Sequence, residues 1–401
     1  MERRAFLKVM GQLTALAFCW PGEGTAFPQP ASGTRPAAPR KPTRVSLAGV
    51  RRGASPEIIR SAVRATAEAA TDFSWLSRGD VVFIKPALNS GNPYPATTSP
   101  DAVGAIVEML KARGARRVIV GDMCGIEHVK LSPEGLSGSS RLLMEASGMA
   151  RAAEAAGAEL HFFEESGWAA FYEDFPAAGS HWKKGLLMPN ILKEVDHIVL
   201  MPRCARHVLA GATLGLKAAV GYWRTDTRLE YHHDASTFQE KTAEGNTVNT
   251  LLEKQRLVVS AADKILTTFG PDKGLVVEPE IGLVMASESV VAHDMVSLAW
   301  LVENRGSVPA SEKEGFKDPY ASQFMVGAAN HWVVSKLGGI GQAIGSERLT
   351  RNDINTVWDD RVLRRAYQVF GNVPAVIFEP ANDAAPQALI KKLAESTTPP
   401  A

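Results

Sequence analysis

The chain has 401 residues, 45% hydrophobic and 22% charged, enough to bury a large core as one big domain or two smaller ones. Its 44 basic and 43 acidic side chains leave a formal net charge of +1, so there is no electrostatic ground for expecting nucleic acid or an acidic membrane surface as partner. Three cysteines are too few for a disulfide framework or for the four thiolates of an iron–sulfur cluster, and none is expected within this chain.

At the start, Glu2-Arg3-Arg4-Ala5-Phe6-Leu7-Lys8 resembles a twin-arginine export signature, with Glu2 where Ser or Thr is usual. An apolar run from Val9 to Phe18 and a small-residue exit at Gly24-Thr25-Ala26 follow, and the run is too short to span a bilayer. Residues 1–26 therefore read as a signal peptide. The resemblance implies the twin-arginine translocase as a partner during export and a periplasmic destination. Residues 27–42, rich in Pro and Ala, read as a linker. The folded body then runs over residues 43–395, with a flexible tail at 396–401. No stretch after the leader is long enough for a transmembrane helix.

Within the body, Ser55-Pro56-Glu57 carries the signals of a helix start, and a helix to about Ala70 follows. Val81 to Ile84 is a short apolar strand. Ser99-Pro100-Asp101 opens a second helix, closed by Gly114, and Arg117 to Val120 is the next strand. The cycle repeats with a helix over 140–156, a strand over 160–163 and another from His197 to Met201. Then come a helix over 247–260, strands over 264–268 and 282–286, and helices from about Ser289 to Glu303 and from Ser322 to Lys336. A last strand and helix fall at 376–378 and 388–395. Continuous apolar strands alternating with helices predict an α/β fold, a mostly parallel sheet covered on both faces, with a division into two lobes left open.

Ligands of such sheets bind beyond the carboxyl ends of the strands. Those ends carry Lys85 and Asn89, then Asp122, Cys124 and His128, then Arg203, Cys204, Arg206 and His207. The densest stretch, Met201 to Asp234, adds Lys217, His232 and His233. Lys217 lies in Leu214-Gly215-Leu216-Lys217-Ala218-Ala219-Val220, which would desolvate an ammonium, lower its pKa and suit it to covalent or nucleophilic work. A lysine that snorkels to water is the alternative. His232 and His233 fit a metal ligand and a general base, or two loop histidines. Cys124 and Cys204 could pair or be two buried thiols. His293, Asp294 and Asp263 could hold a metal, or Asp294 could bond a neighbouring loop. Gly338-Gly339-Ile340-Gly341 follows a helix, and so reads as a helix end, not as a dinucleotide fingerprint.

Several blocks resemble the family called domain of unknown function 362. They are Val82-Phe83-Ile84-Lys85-Pro86 with Asn89, Thr97 to Asp101, Gly114 to Val118 leading to Gly121-Asp122, and His207, Thr213 and Gly215-Leu216-Lys217. Gly270-Pro271 with Gly274, and Ala286-Ser287 with Val291, Ala292 and Asp294, complete the set. Ala205 and Ala218 depart from the pattern, standing where Lys and Asn are usual. A further similarity is to nickel-pincer lactate racemases, which place a His, a Lys ten residues on and a His sixteen beyond that. His207, Lys217 and His233 have this spacing.

Carried over, this similarity implies Lys217 as the tether of a nickel-pincer nucleotide, His233 (or its neighbour His232) as metal ligand, and His128 and His207 as opposed acid and base. Lys85, Asn89 and Asp122 would join Lys217 in holding a cofactor, with Cys204 near the rim of the cleft. The expectation is an enzyme with a metal or cofactor site that moves a proton on a small anionic substrate. The alternative is a non-catalytic periplasmic binding or assembly protein.

Overall fold

The computed structural model describes residues 40–400. The leader and residues 27–39 of the linker lie outside the described residues. Eight strands form the main sheet: β1 (Arg40–Arg51), β2 (Val81–Pro86), β3 (Arg117–Asp122), β4 (Glu159–Phe162), β5 (His197–Met201), β6 (Gln255–Ala262), β7 (Ile281–Ser287) and β8 (Val373–Pro380). Their spatial order is β8-β1-β7-β6-β5-β2-β3-β4. Only β7 runs antiparallel to its neighbours, β1 and β6, so the sheet is mostly parallel.

Six helices shape the core and the site: α1 (Pro56–Ala70), α2 (Pro100–Ala112), α3 (Gly215–Ala218), α4 (Thr225–His233), α5 (Val290–Gly306) and α6 (Gln323–Gly338). Ser55, Ser99, Ser289 and Ser322 each accept a backbone N–H in the first turn of the helix they precede, as expected of N-cap serines. The two faces of the sheet carry separate cores. Ala48 and Val50 of β1 pack with α1 and α2, whereas Val45 and Leu47 pack with α5 and the helix Arg361–Val369. That alternation is what a sheet buried on both faces requires. No helix of the described residues is long and apolar enough to cross a membrane.

Four expectations change. The helix over 140–156 is two helices, Ser140–Ala146 and Met149–Ala155, broken at Gly148, whose φ of 82° is left-handed. The helix over 247–260 stops at Lys254, and β6 takes over because Leu257-Val258-Val259 is a fully buried run with two β-branched valines. The strand over 264–268 shrinks to Ile265–Leu266 in a small second sheet with Ala205–His207, Gly211–Thr213 and Val276–Val277. The linker's last residues, Arg40 to Pro42, already belong to β1, where they pair only with β8; Pro42 is tolerated because β7 begins its pairing at Ser46.

Chain order places the site. From β2 the chain steps outward to β3 and β4, then returns to the other side of β2 for β5. The order reverses between β2 and β5, and a crevice at such a reversal is where open α/β sheets bind ligands. Thr98 ties the two strand ends together: its Oγ1 donates to Met201 O at 2.6 Å and accepts from Ala87 N at 2.8 Å.

Candidate functional site

The floor of the crevice is an ion pair. Lys85 Nζ lies 2.8 Å from Asp122 Oδ1 and donates to Pro86 O at 2.8 Å. The Asp122 carboxylate also accepts the backbone N–H of Leu88 at 2.9 Å and of Met123 at 2.8 Å. Burial pushes Lys85 down and Asp122 up, and each charge opposes the shift of the other. A Cβ on Gly221 would collide with Asp122 Oδ1 and Lys85 Nζ, so the segment after Lys217 lies directly on this pair. Lys85 and Asp122 therefore support the cleft from beneath.

Arg228 of α4 locks that segment in place. Its Nε donates to Trp223 O at 2.8 Å, Nη1 to Cys124 O at 2.7 Å, and Nη2 to Met123 O at 2.9 Å and Gly221 O at 3.0 Å. A planar five-donor fork suits such a convergence of carbonyls.

Lys217 projects from α3, whose first N–H groups are held by a carboxylate from another helix. Asp294 of α5 accepts from Gly215 N and Leu216 N, both at 2.7 Å. Asp294 is thus bonded to a neighbouring turn, one of the two roles its sequence left open. The Lys217 side chain is half-buried, part of its surface reaching solvent although protein closes round it on most sides. Its ammonium lies 5.7 Å from the centre of the Tyr231 ring, and it makes no hydrogen bond or ion pair among the described residues. Burial first, and then the charges of Arg228, Arg203 and Lys85, lower its pKa to about 7.

Three histidines of the region have defined surroundings. His207 Nδ1 accepts from Leu209 N at 3.0 Å and Ala210 N at 3.2 Å, so its ring proton sits on Nε2. Burial and the nearby Lys217, Arg203 and His232 hold its pKa well below the usual range. Asn330 of α6 fixes His232: Nδ2 of the amide donates to His232 O at 2.8 Å, which leaves Oδ1 to accept His232 Nδ1–H at 2.8 Å. His232 is neutral, lowered to about 3 mainly by burial, and its Nε2 keeps a bare lone pair. His233 instead pairs with Asp234 at 3.0 Å and comes near Gly345.

The outer part of the site is built on Asp272. Its Oδ1 accepts Asn89 Nδ2 at 2.7 Å, and its Oδ2 lies 3.6 Å from His128 Nε2. Asp272 raises the pKa of His128. Arg203 is buried, donates from Nη1 to Pro271 O at 2.6 Å, and has an Nε with no partner. Arg203 joins the two halves, since its charge acts on Asp272, His207 and Lys217 alike. Arg206 is engaged elsewhere, with Asp318 at 3.4 Å and Gly211 O at 3.1 Å.

The cysteines are free and both are buried. Cys204 is not at a rim but in the core beneath α5, where Sγ donates to Ser297 O at 3.4 Å. A wide surface groove lined by Trp75, Asp80, Asp196, His197 and Lys254 lies at the other, amino-terminal end of β2 and β5, and His197 and Asp80 there are paired with each other at 2.9 Å. Asp272, Arg228, Asn330 and Glu127 were not singled out by sequence. Asp272 follows the Gly270-Pro271 turn, and Arg228 shares a helix with the two histidines.

The model of the family described as domain of unknown function (DUF362) matches residues 82–299, more than half of the chain. The chain belongs to this family. The matched DUF362 segment runs from β2 into α5, and so contains the ion pair, Arg203, His207, Lys217, His232, Asp272 and Asp294. Among solved structures, the lactate racemase apoprotein from Thermoanaerobacterium thermosaccharolyticum is similar over 92% of this chain and 88% of its own, at 12% identity and a TM-score of 0.43. So loose a likeness bears no weight for the chemistry. No curated protein matches this DUF362 chain.

Proposed function

We propose that this chain is an enzyme that binds a small carboxylate-bearing anion at the ends of β2 and β5 and moves a proton on the carbon beside the carboxylate, a racemase- or isomerase-like reaction. The observation that carries this reading is Lys217, an amine drawn to about 7 with no acidic partner among the described residues to hold its proton. A base whose pKa lies near ambient pH takes and returns protons most effectively. The unpartnered Nε of buried Arg203 is a donor for the substrate carboxylate.

His207 contributes as a neutral Nε2–H donor. Because Nδ1 already accepts two backbone N–H groups, the ring resists becoming imidazolium and acts as an electrophile rather than as a base. The carbon–hydrogen bond breaks toward Lys217 Nζ, and the electron pair moves onto the carboxylate oxygens. Arg203 and His207 stabilise the charge that develops there. Return of the proton from Lys217 Nζ to the opposite face of that carbon, after the planar anion has turned over in the site, completes a racemisation; return to the same face only exchanges the hydrogen with solvent. Unprotonated Lys217 also fits the covalent tether that nickel-pincer chemistry would need, and His232, with its bare Nε2, shares its surroundings more closely than His233 does. Arg3 and Arg4 support export by the twin-arginine route, so that the reaction would take place in the periplasm.

The test is deuterium incorporation from heavy water into a panel of 2-hydroxy, 2-amino and 2-oxo acids. The wild type should label the carbon beside the carboxylate of at least one. Lys217→Met should abolish labelling, and His207→Phe should slow it by about a hundredfold or more. Labelling that persists in Lys217→Met contradicts the proposal. Binding without any labelling points to the binding-protein alternative.

A further inference from the structure

The loop after β3 and the turn after Gly270 bring three side chains together that proton transfer at Lys217 does not use. One ligand atom each from Glu127, His128 and Asp272 lie within 4.8 Å of one another. His128 Nε2 is closed to solvent and has no hydrogen-bond partner. An enclosed ring nitrogen without a partner is costly unless something meets it. Its distance to Asp272 Oδ2, 3.6 Å, is too long for a hydrogen bond. It is close to the ~3.3 Å that separates two atoms bound to one tetrahedral cation at about 2.0–2.1 Å.

The rest of the setting suits ligation. Asp272 spends Oδ1 on Asn89 Nδ2, at 2.7 Å, which leaves Oδ2 free and aims it. Outer hydrogen bonds of this kind orient ligating carboxylates. The backbone of the turn is held as well, by Asn92 Nδ2 on Asp272 O at 3.1 Å and by Arg203 Nη1 on Pro271 O at 2.6 Å.

We propose that Glu127, His128 and Asp272 form a binding site for one divalent first-row transition cation. Two carboxylates and a neutral imidazole carry two negative charges, which one such ion balances. The imidazole favours zinc, cobalt or nickel over magnesium or calcium, which prefer all-oxygen shells, and the two carboxylates also admit manganese. Three protein ligands leave positions open for water or for an oxygen of the anionic substrate, as in catalytic metal sites. His128 is then a metal ligand and not the partner of His207 in proton transfer. The site does not depend on Lys217 being the reactive group.

The test uses the full-length, untagged protein, stripped with a chelator and titrated calorimetrically with Zn²⁺, Mn²⁺ and Co²⁺. One equivalent of at least one of the three should bind, and bound Co²⁺ should acquire the visible absorption of an imidazole-ligated ion. His128→Ala and Asp272→Asn should weaken binding at least a hundredfold, and Asn89→Ala by about 10- to 100-fold. Glu127→Gln changes an exposed side chain, so it decides the matter should the substitutions at the half-buried His128 and Asp272 perturb folding; it should also lose affinity at least tenfold. Lys217→Met should keep the metal, which separates this site from proton transfer. Absence of binding for all three ions, or binding unchanged in both His128→Ala and Glu127→Gln, overturns the proposal.

Discussion

Lys85 and Asp122, at the ends of adjacent parallel strands, form a 2.8 Å ion pair almost wholly closed to water, and the backbone at Gly221 rests on it. Such a pair is held by its mutual attraction and by its backbone bonds, and breaking one half strands the other. Lys85→Met should therefore lose about 3–5 kcal/mol in urea unfolding. The double variant Lys85→Met/Asp122→Asn should lose less than the sum of the two single changes, because no lone charge is left buried. Additive losses would show that the two charges do not support each other.

Arg228 satisfies four backbone carbonyls from two segments. Arg228→Met should cost about 3 kcal/mol or more, and Arg228→Lys should recover only part of it, because an ammonium cannot span the same fork. Removing this cation should also raise the pKa of Lys217, which its charge helps to lower. Mass-spectrometric footprinting of amine reactivity reads that second effect separately from the loss of stability.

Stability should depend on pH through Lys217. Its pKa is about 7 in the folded chain against an ordinary 10.5. Between those values the unfolded chain binds a proton that the folded one does not, so this group makes stability rise with pH from about 7 to about 10.5. Below pH 7 the folded chain carries a cation crowded by cations. Lys217→Met should then be more stable than wild type at pH 6 by ~1–3 kcal/mol, allowing for the part of the side chain that reaches solvent. The two should converge above pH 10.5. Parallel unfolding curves at all pH values would contradict the lowered pKa.

Export can be tested apart from chemistry. Changing Arg3 and Arg4 both to Lys should leave the chain in the cytoplasm with its leader uncut, because the receptor-binding fork of Arg is lost. Normal export of that variant, followed by cell fractionation, would remove the twin-arginine reading.

Much of this architecture was legible in the sequence because the signals were local. Val81 to Ile84, Val118 to Val120 and Ile198 to Met201 are continuous apolar runs, and they lie in adjacent parallel strands. Ser55-Pro56 and Ser99-Pro100 announced two of the helices. β1 was hidden because its first residues continue a Pro- and Ala-rich stretch, and only pairing with β8 makes them a strand. At the site, the apolar setting of Lys217 pointed to a depressed amine. The partners that define its surroundings lie far away in sequence: Asp294 is 78 residues from Leu216, and Asn330 is 98 from His232. Side-chain direction was equally hidden. His232 and His233 are neighbours in sequence, yet one is fixed by Asn330 and the other by Asp234, a difference set by the roughly 100° turn between successive helical residues.

The most direct test of the central claim is the titration of the Lys217 amine itself. An acylating reagent, applied briefly across pH 5 to 11 and read by peptide mass spectrometry, should modify Lys217 with a midpoint of about 7, well below the 10.5 of an ordinary lysine amine. A midpoint for Lys217 near 10.5 would mean that the amine is a solvated cation, and the proton-transfer reading would fall with it.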